Sequence, residues 1–476
     1  MGRLPRFVPE AAAYGPGTVR AMAAHTGGTE TKRFGRSAGL LSAGVGSAGL
    51  LTYLYFALAS HNLGPTEYGQ IVVLWSLVFV TISVAHRPVE QLLSRSIAER
   101  RARGLPFGSA LRVAGVIELG VIAALTLLAL ALREPLTDDL LRGAEDLYWV
   151  LVFAVIAFGA SFFARGVLAG NHRFGLLAGL LVCESASRTG FALAVALGIA
   201  EGQTAIALGI AAAPLFSLLV VPLAFGRRVA QASPAPVELP EGDGGGLSLS
   251  RGGGFAGAVL IVMLSEQALL NAGPLLTSAF VDAAAAGFVF NVLLLARAPL
   301  VVFQGVAVSL LPHLTRLRSQ GSAMEGEFRG SVRVTLMAVG AFTALVAAVV
   351  AAAGPELMQV AFGDEFPYER GELLLITAGM GLYLTATTLN QAILAQGGAA
   401  RAAARWAVCA IAFVVWCALP LVGDEVRRVE LGFTGAASLL AALLTLAYRS
   451  AGPEGGLEPG SPDELEARLA SADEAS

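Results

Sequence analysis

Long apolar runs separated by short polar breaks dominate the chain. Twelve such runs can be drawn: 39–60, 69–90, 112–132, 147–169, 174–199, 203–225, 253–281, 286–311, 332–353, 370–395, 403–422 and 429–448. Each has about the 20 residues that a helix needs to cross a hydrocarbon core about 30 Å thick. Backbone groups find no water in that core, so each run must satisfy its own N–H and C=O groups as a helix. The alternation of a transmembrane barrel, about ten residues per strand, is absent. The breaks between runs are sharp. In ASHNLGPTEYGQIV (59–72), Gly64 suits a helix end that needs φ > 0. Pro65 cannot continue a helix but can start one, and Glu67 is tolerable only in water. The segment predicts a tight hairpin between the first two helices.

Composition agrees with a membrane protein. The 476 residues are 55% hydrophobic and 14% charged, against roughly 25% charged in soluble domains. Mean hydropathy is +0.69. The net charge of −3 says little about partners, and no basic face predicts nucleic-acid binding. Cys183, Cys409 and Cys417 fall inside predicted spans and read as packing residues, since free Cys is commonly buried. The five His residues form no ligand cluster, so no metal site and no cofactor is expected. The Gly-rich stretch GDGGGLSLSRGGG (242–254) has neither the preceding strand nor the Lys of a phosphate loop. It reads as linker, and ATP is not the expected energy source.

The distribution of Arg sets an orientation. Arg residues crowd 87–111, 170–173, 226–252, 312–331 and 396–405, while the alternate loops 61–68, 133–146, 200–202, 282–285, 354–369 and 423–428 are short or acidic. With positive charge held inside, twelve spans place both termini in the cytoplasm. Residues 1–38, rich in Arg and without an apolar leader segment, read as a disordered basic tail rather than a signal peptide. Residues 449–476 read as an acidic disordered tail.

The Pro- and Gly-rich segment 226–252 is the longest connection and reads as a flexible cytoplasmic linker. It divides the spans into an N-terminal lobe (39–225) and a C-terminal lobe (253–448), six helices each. The halves resemble one another in spacing. Gly69 opens span 2 and the following basic segment ends at Gly104; Gly287 opens span 8 and its counterpart ends at Gly321. The expected fold is therefore an all-α polytopic membrane protein with twelve transmembrane helices in two six-helix lobes. An even count per lobe makes the repeat parallel, with a pseudo-twofold axis along the membrane normal. Two such lobes around a cavity are an alternating-access design, by architectural analogy.

The first hairpin also carries a family resemblance. Leu63-Gly64-Pro65 and Tyr68-Gly69, followed by the basic stretch Arg95 to Arg103, resemble polysaccharide-transport proteins. These belong to the multidrug/oligosaccharidyl-lipid/polysaccharide exporter superfamily. Gly287 and Leu311-Pro312 resemble the second-half counterpart, although 282–287 lacks the Pro and Tyr of the first hairpin. The resemblance covers residues 39–448. It implies a flippase, not an enzyme, that moves a polyprenyl-pyrophosphate-linked oligosaccharide across the bacterial cytoplasmic membrane for cell-surface polysaccharide synthesis. Relatives in the superfamily export cationic drugs, so a cation-coupled multidrug exporter is the alternative. A non-transporting scaffold for envelope synthesis is a further one. A membrane glycosyltransferase would need a larger external loop than any here; Asp138-Asp139 reads as a solvated acidic pair.

Charges inside the runs are the candidate site, because each costs at least about 2.5 kcal/mol at mid-bilayer and must face a cavity or a partner. Glu184 and Arg188 lie roughly 15 and 21 Å into span 5 at 1.5 Å per residue and share one helix face. One reading has them neutralise each other. The other has Arg188 grip an anionic headgroup, with Glu184 holding the guanidinium, and Arg297 supplying a matching contact from the second lobe. The planar guanidinium suits pyrophosphate. Arg165 adds positive charge near the cytoplasmic end of span 4, where snorkelling is the competing explanation. Glu266 has no opposite charge at i±3 or i±4, which makes it a candidate for exchanging a coupling ion, H⁺ or Na⁺, or for pairing with an Arg on another span. Glu118 is a further supporting carboxylate. Gln267, Asn271, Tyr383, Asn390 and Gln391 are candidate sugar contacts, or interhelical hydrogen bonds worth about 0.6 kcal/mol each. The expected partners are the lipid-linked oligosaccharide, membrane lipids and the coupling ion, and a monomer is expected.

Overall fold

The apolar runs are helical wherever they are described, because a chain without polar breaks can pair its backbone only with itself. The computed structural model describes residues 16–222, 249–297, 310, 314, 317, 325–366 and 368–450, and all its regular elements are helical. In the first half they are α1 (Pro16–Asn62), α2 (Pro65–Thr81), α3 (Arg87–Ala102), α4 (Gly108–Ala131), α5 (Glu145–Gly170), α6 (Phe174–Ala196) and α7 (Gly202–Ser217). In the second half they are α8 (Leu249–Phe280), α9 (Ala283–Ala296), α10 (Glu325–Phe362), α11 (Arg370–Ala395), α12 (Ala399–Ala418) and α13 (Glu425–Ser450).

α2 and α3 form one continuous rod, joined by a π turn at Ile82–His86. Its cause is Pro88, which has no N–H and whose ring would collide with the carbonyl of Val84 in a regular helix. The extra residue of the π turn absorbs that conflict. Counting this rod once, eleven helices among the described residues are long and apolar enough to cross a membrane, and α9 is a shorter apolar helix in the eighth place. The chain is a multi-pass membrane protein. The rest of the predicted span 286–311, Leu311-Pro312, most of the 226–252 linker, residues 1–15 and residues 451–476 lie outside the described residues.

Two details differ from expectation. α1 starts at Pro16, so the part of segment 1–38 from there onward is helical. Gly64 has φ −65, not a positive value: it caps the start of α2, with Pro65 in the first turn, rather than ending α1 through a left-handed residue. The hairpin needs the missing N–H of proline at that position, not the freedom of glycine.

Each half repeats one packing scheme. α1 lies on α6 as α8 lies on α12; α4 lies on α5 as α10 on α11; α5 lies on α7 as α11 on α13; α6 lies on α7 as α12 on α13. The outermost helix of each half, α4 and α10, exposes apolar side chains such as Leu119, Leu127, Val334 and Leu345. Such a face is stable only against lipid. Between the lobes, α2 packs on α8 and α9. The end of the bundle carrying loops 61–68 and 282–285 is the hairpin face, and the opposite end is the linker face.

Candidate functional site

The lobes are tied at the hairpin face. The Tyr68 hydroxyl donates to Asn291 Oδ1, and the Ser278 hydroxyl donates to the Leu140 carbonyl at 2.9 Å. Arg142, held at φ 53, reaches across from the α4–α5 loop. Its guanidinium donates to the carbonyls of Ser278, Ala279 and Val281 at the C-terminal end of α8, at 2.9 Å from Nε to Ser278 and 2.8 Å from Nη2 to Val281. A helix leaves its last carbonyls unpaired and carries partial negative charge there, so a cation from the other lobe is matched to both. Deeper, Phe56 packs on Phe290 with centroids 4.6 Å apart, and Tyr53 donates its hydroxyl to the Leu294 carbonyl.

Below this seal, towards the linker face, charged groups from both lobes converge. Glu266 on α8 accepts a hydrogen bond from the Tyr383 hydroxyl of α11 at 3.1 Å. Arg297, just past the end of α9, lies within electrostatic reach of Tyr53 and Tyr383. Its Nε and Nη2 are buried without a hydrogen-bond partner among the described residues. Arg87, on α3 of the other lobe, lies within electrostatic reach of Glu266 and is exposed. Glu266 and Arg297 are deep in the molecule yet only half-buried as residues, as groups lining a cleft are. The partner Arg expected on another span for Glu266 is represented by Arg87 at longer range than an ion pair. The phenol is its hydrogen-bond partner.

The N-terminal lobe departs from the sequence expectation. Glu184 does not hold Arg188. It pairs with Arg165 of α5 at 2.5 Å, both side chains nearly buried (9% and 12% exposed), and accepts from Ser161 at 3.2 Å. Arg165 also stacks over Phe162 at 4.3 Å. It therefore does not snorkel, and its charge is already matched. Arg188 turns instead towards α1 and α2. Its guanidinium lies 4.4 Å from the Trp75 ring centroid and 5.8 Å from that of Tyr55, and it donates to Thr52 at 3.1 Å. At 2% exposed, it is enclosed within its own lobe. Two aromatic faces can each stabilise a desolvated cation by about 2 kcal/mol, and Glu184 remains within electrostatic reach.

The remaining candidates are placed as follows. Glu118 of α4 is buried and bonded at 2.6 Å to His86 Nδ1. Asn271 donates to Gln267 Oε1 at 2.9 Å along α8. Asn390 accepts from the Trp406 indole at 3.1 Å, and Trp406 packs edge-on against Tyr383. Gln391 is half-buried on α11. Sequence reasoning missed Arg142, Tyr53 and His86. Arg142 sits in a loop that looked merely acidic, Tyr53 looked like one more apolar residue, and His86 was one of five His residues that form no ligand cluster. The pairing of His86 with Glu118 rests on two helices meeting, which spacing does not disclose.

No family model matches the chain, and no curated protein sequence does. Solved structures do match in fold. A multidrug resistance MATE family transporter of the MOP superfamily, in an inward-facing conformation, superposes with TM-score 0.65 at 13% identity, covering 84% of this chain and 94% of that one. A Vibrio cholerae MATE transporter gives 0.58 at 16% identity, covering 89% and 98%. A MOP superfamily transporter from Pyrococcus furiosus gives 0.57 at 16% identity, covering 87% and 96%; its binding pocket is described as having reversed polarity, suggesting a different function. The chain shares the fold of these transporters over 84% to 89% of its length.

Proposed function

We propose that this chain is an alternating-access membrane exporter that moves an amphipathic organic molecule in exchange for a cation bound at Glu266. The observation that carries this reading is the setting of Glu266 deep between the lobes, with a neutral phenol as its only hydrogen-bond partner among the described residues. A carboxylate at that depth needs a proton or a metal cation to be stable. The MOP superfamily fold and the multidrug MATE transporters that share it support exchange of a drug-like cation for that ion. The Arg-rich loops support a cytoplasmic linker face, and in that orientation lobes sealed at the hairpin face suit a state that faces the cytoplasm. The test uses inside-out vesicles containing the chain, ethidium as the lipophilic cation, and an imposed pH or Na⁺ gradient. Gradient-dependent ethidium accumulation supports the reading; its absence under both gradients counts against it.

Arg297 favours a second reading. Two of its donor nitrogens are buried and have no partner among the described residues, and a guanidinium in that condition suits a phosphate or carboxylate. This keeps the lipid-linked oligosaccharide in view, and the Pyrococcus furiosus transporter with a pocket of reversed polarity shows that one fold accepts a different pocket charge. Reconstituted vesicles carrying a fluorescent polyprenyl-pyrophosphate saccharide separate the two. Translocation of that lipid, lost in Arg297→Ala, with no ethidium transport, selects the anionic substrate.

A further inference from the structure

The middle of α2 is buried and mostly apolar: Ile71, Val72, Val73, Leu74 and Val78 are fully enclosed. Ser76 interrupts this run. It is 0% exposed, and its Oγ has no hydrogen-bond partner among the described residues. A Ser or Thr inside a helix can turn its hydroxyl to the carbonyl four residues back. Thr81 of the same helix does so, to Leu77 at 2.7 Å, and Thr52 of α1 and Ser265 of α8 do so at 2.8 Å. Ser76 does not. It stands seven residues from Gly69, close to two full turns. It therefore shares the helix face on which Gly69 meets Ala283 and Gly287 of the other lobe.

The C-terminal lobe carries a second such atom. Asn271 of α8 is 0% exposed. Its amide donates to Gln267 Oε1 at 2.9 Å, and its own Oδ1 has no partner among the described residues. Asn271 stands seven residues before Ser278, whose hydroxyl crosses to the Leu140 carbonyl of the other lobe. Asn271 thus shares the interlobe face of its helix, and α8 packs directly on α2. A buried polar atom without a partner costs free energy that hydration would return. Inside one lobe that cost persists in every state. At a contact between lobes it is relieved when the lobes part and water reaches the atom.

We infer that Ser76 and Asn271 keep the hairpin-face seal metastable: their unpaired atoms oppose the closure that Arg142, Tyr68 and Ser278 favour, and they line the passage once that face opens. Paired and unpaired polar groups therefore act with opposite sign on one equilibrium. A ligand moves such an equilibrium only by its difference in affinity for the two states, so a seal weakened from within is one that a modest difference can reverse. An apolar residue at either position would leave a tighter seal and a larger difference to supply. The inference holds for any cargo. It shares with the exporter reading only the premise that the lobes part.

The test reads the ratio of sealed to open hairpin face in the full chain, with spin labels at Asp139→Cys and Glu365→Cys, both exposed and one on each lobe. The background is Arg142→Ala, in which the loss of a tie between the lobes populates the open form. Adding Ser76→Ala should raise the sealed-to-open ratio roughly tenfold. Adding Ser278→Ala, which removes a paired hydroxyl, should lower it. Ser76→Ala takes away one oxygen that is bonded to nothing among the described residues, so the fold should be retained. The double change Gln267→Leu with Asn271→Leu removes the amide pair together with its unpaired oxygen and should raise the ratio in the same way; it carries the test if Ser76→Ala folds poorly. A ratio that either variant, once folded, leaves unchanged or lowers overturns the inference, as does one fixed distance in every variant. Gradient-driven ethidium accumulation beside an unchanged ratio removes the bias and leaves the exporter standing.

Discussion

Gly69 and Gly287 meet across the two lobes. Each is the fifth residue of the second helix of its half, and a Cβ on Gly287 would lie 3.3 Å from the Gly69 Cα. A Cβ on Gly69 would lie 1.7 Å from the Ala283 carbonyl oxygen, a backbone atom that cannot swing aside. The repeat legible in the sequence is therefore also the contact on which the hairpin face closes. Gly69→Ala should keep both lobes folded and prevent closure, since overpacking a fitted contact costs about 1–3 kcal/mol. Spin labels at Asp139→Cys and Glu365→Cys should read a longer distance in this variant than in the parent.

Arg142 is the polar half of the same closure. Hydrogen bonds to a charged group contribute about 1.5–3 kcal/mol when buried, and Arg142 is partly solvated, so the low end applies. Arg142→Ala should shift the ratio of sealed to open hairpin face by roughly tenfold. The same label pair measures it. Transport should fall while the thermal midpoint stays near that of the parent, because the bonds join lobes rather than build them.

The Arg165–Glu184 pair predicts non-additive stability. Removing one partner leaves a buried charge alone and costs about 3–5 kcal/mol, whereas removing both removes the burial cost as well. Arg165→Leu and Glu184→Leu should each lower the thermal midpoint in detergent, and the double variant should be more stable than either.

Arg188 is buried against Trp75 and Tyr55 within its own lobe. Arg188→Ala should empty the space between Trp75, Tyr55 and Thr52 and lower the thermal midpoint. Arg188→Lys should recover only part of the loss, because an ammonium cannot lie flat on an indole as a guanidinium does. Unchanged stability of Arg188→Ala in a thermal melt would return Arg188 to the substrate site.

How much of this was legible in the sequence follows from what spacing encodes. Span length and Arg asymmetry are properties of one chain in a layered solvent, so the helices and the six-plus-six division read directly. Gly69 and Gly287 could be matched as equivalents, but not seen to touch. Charge partners are decided by which faces of different helices meet. The i,i+4 rule therefore offered Glu184 to Arg188, while the fold gave Glu184 to Arg165 and gave Arg188 to two aromatic rings. His86 hid for the same reason: its partner is 32 residues away on another helix. Glu266 was legible because it lacked a local partner, and among the described residues a phenol is its hydrogen-bond partner.

The most direct test of the exporter is Glu266→Gln in inside-out vesicles with ethidium and an imposed proton or Na⁺ gradient. The amide keeps the size of the side chain and a hydrogen bond to Tyr383, so the fold should be retained, as the thermal midpoint can verify. The account predicts that the gradient no longer drives ethidium accumulation, while ethidium binding at equilibrium remains. Gradient-driven accumulation in Glu266→Gln at the rate of the parent would contradict it and place the coupling carboxylate elsewhere.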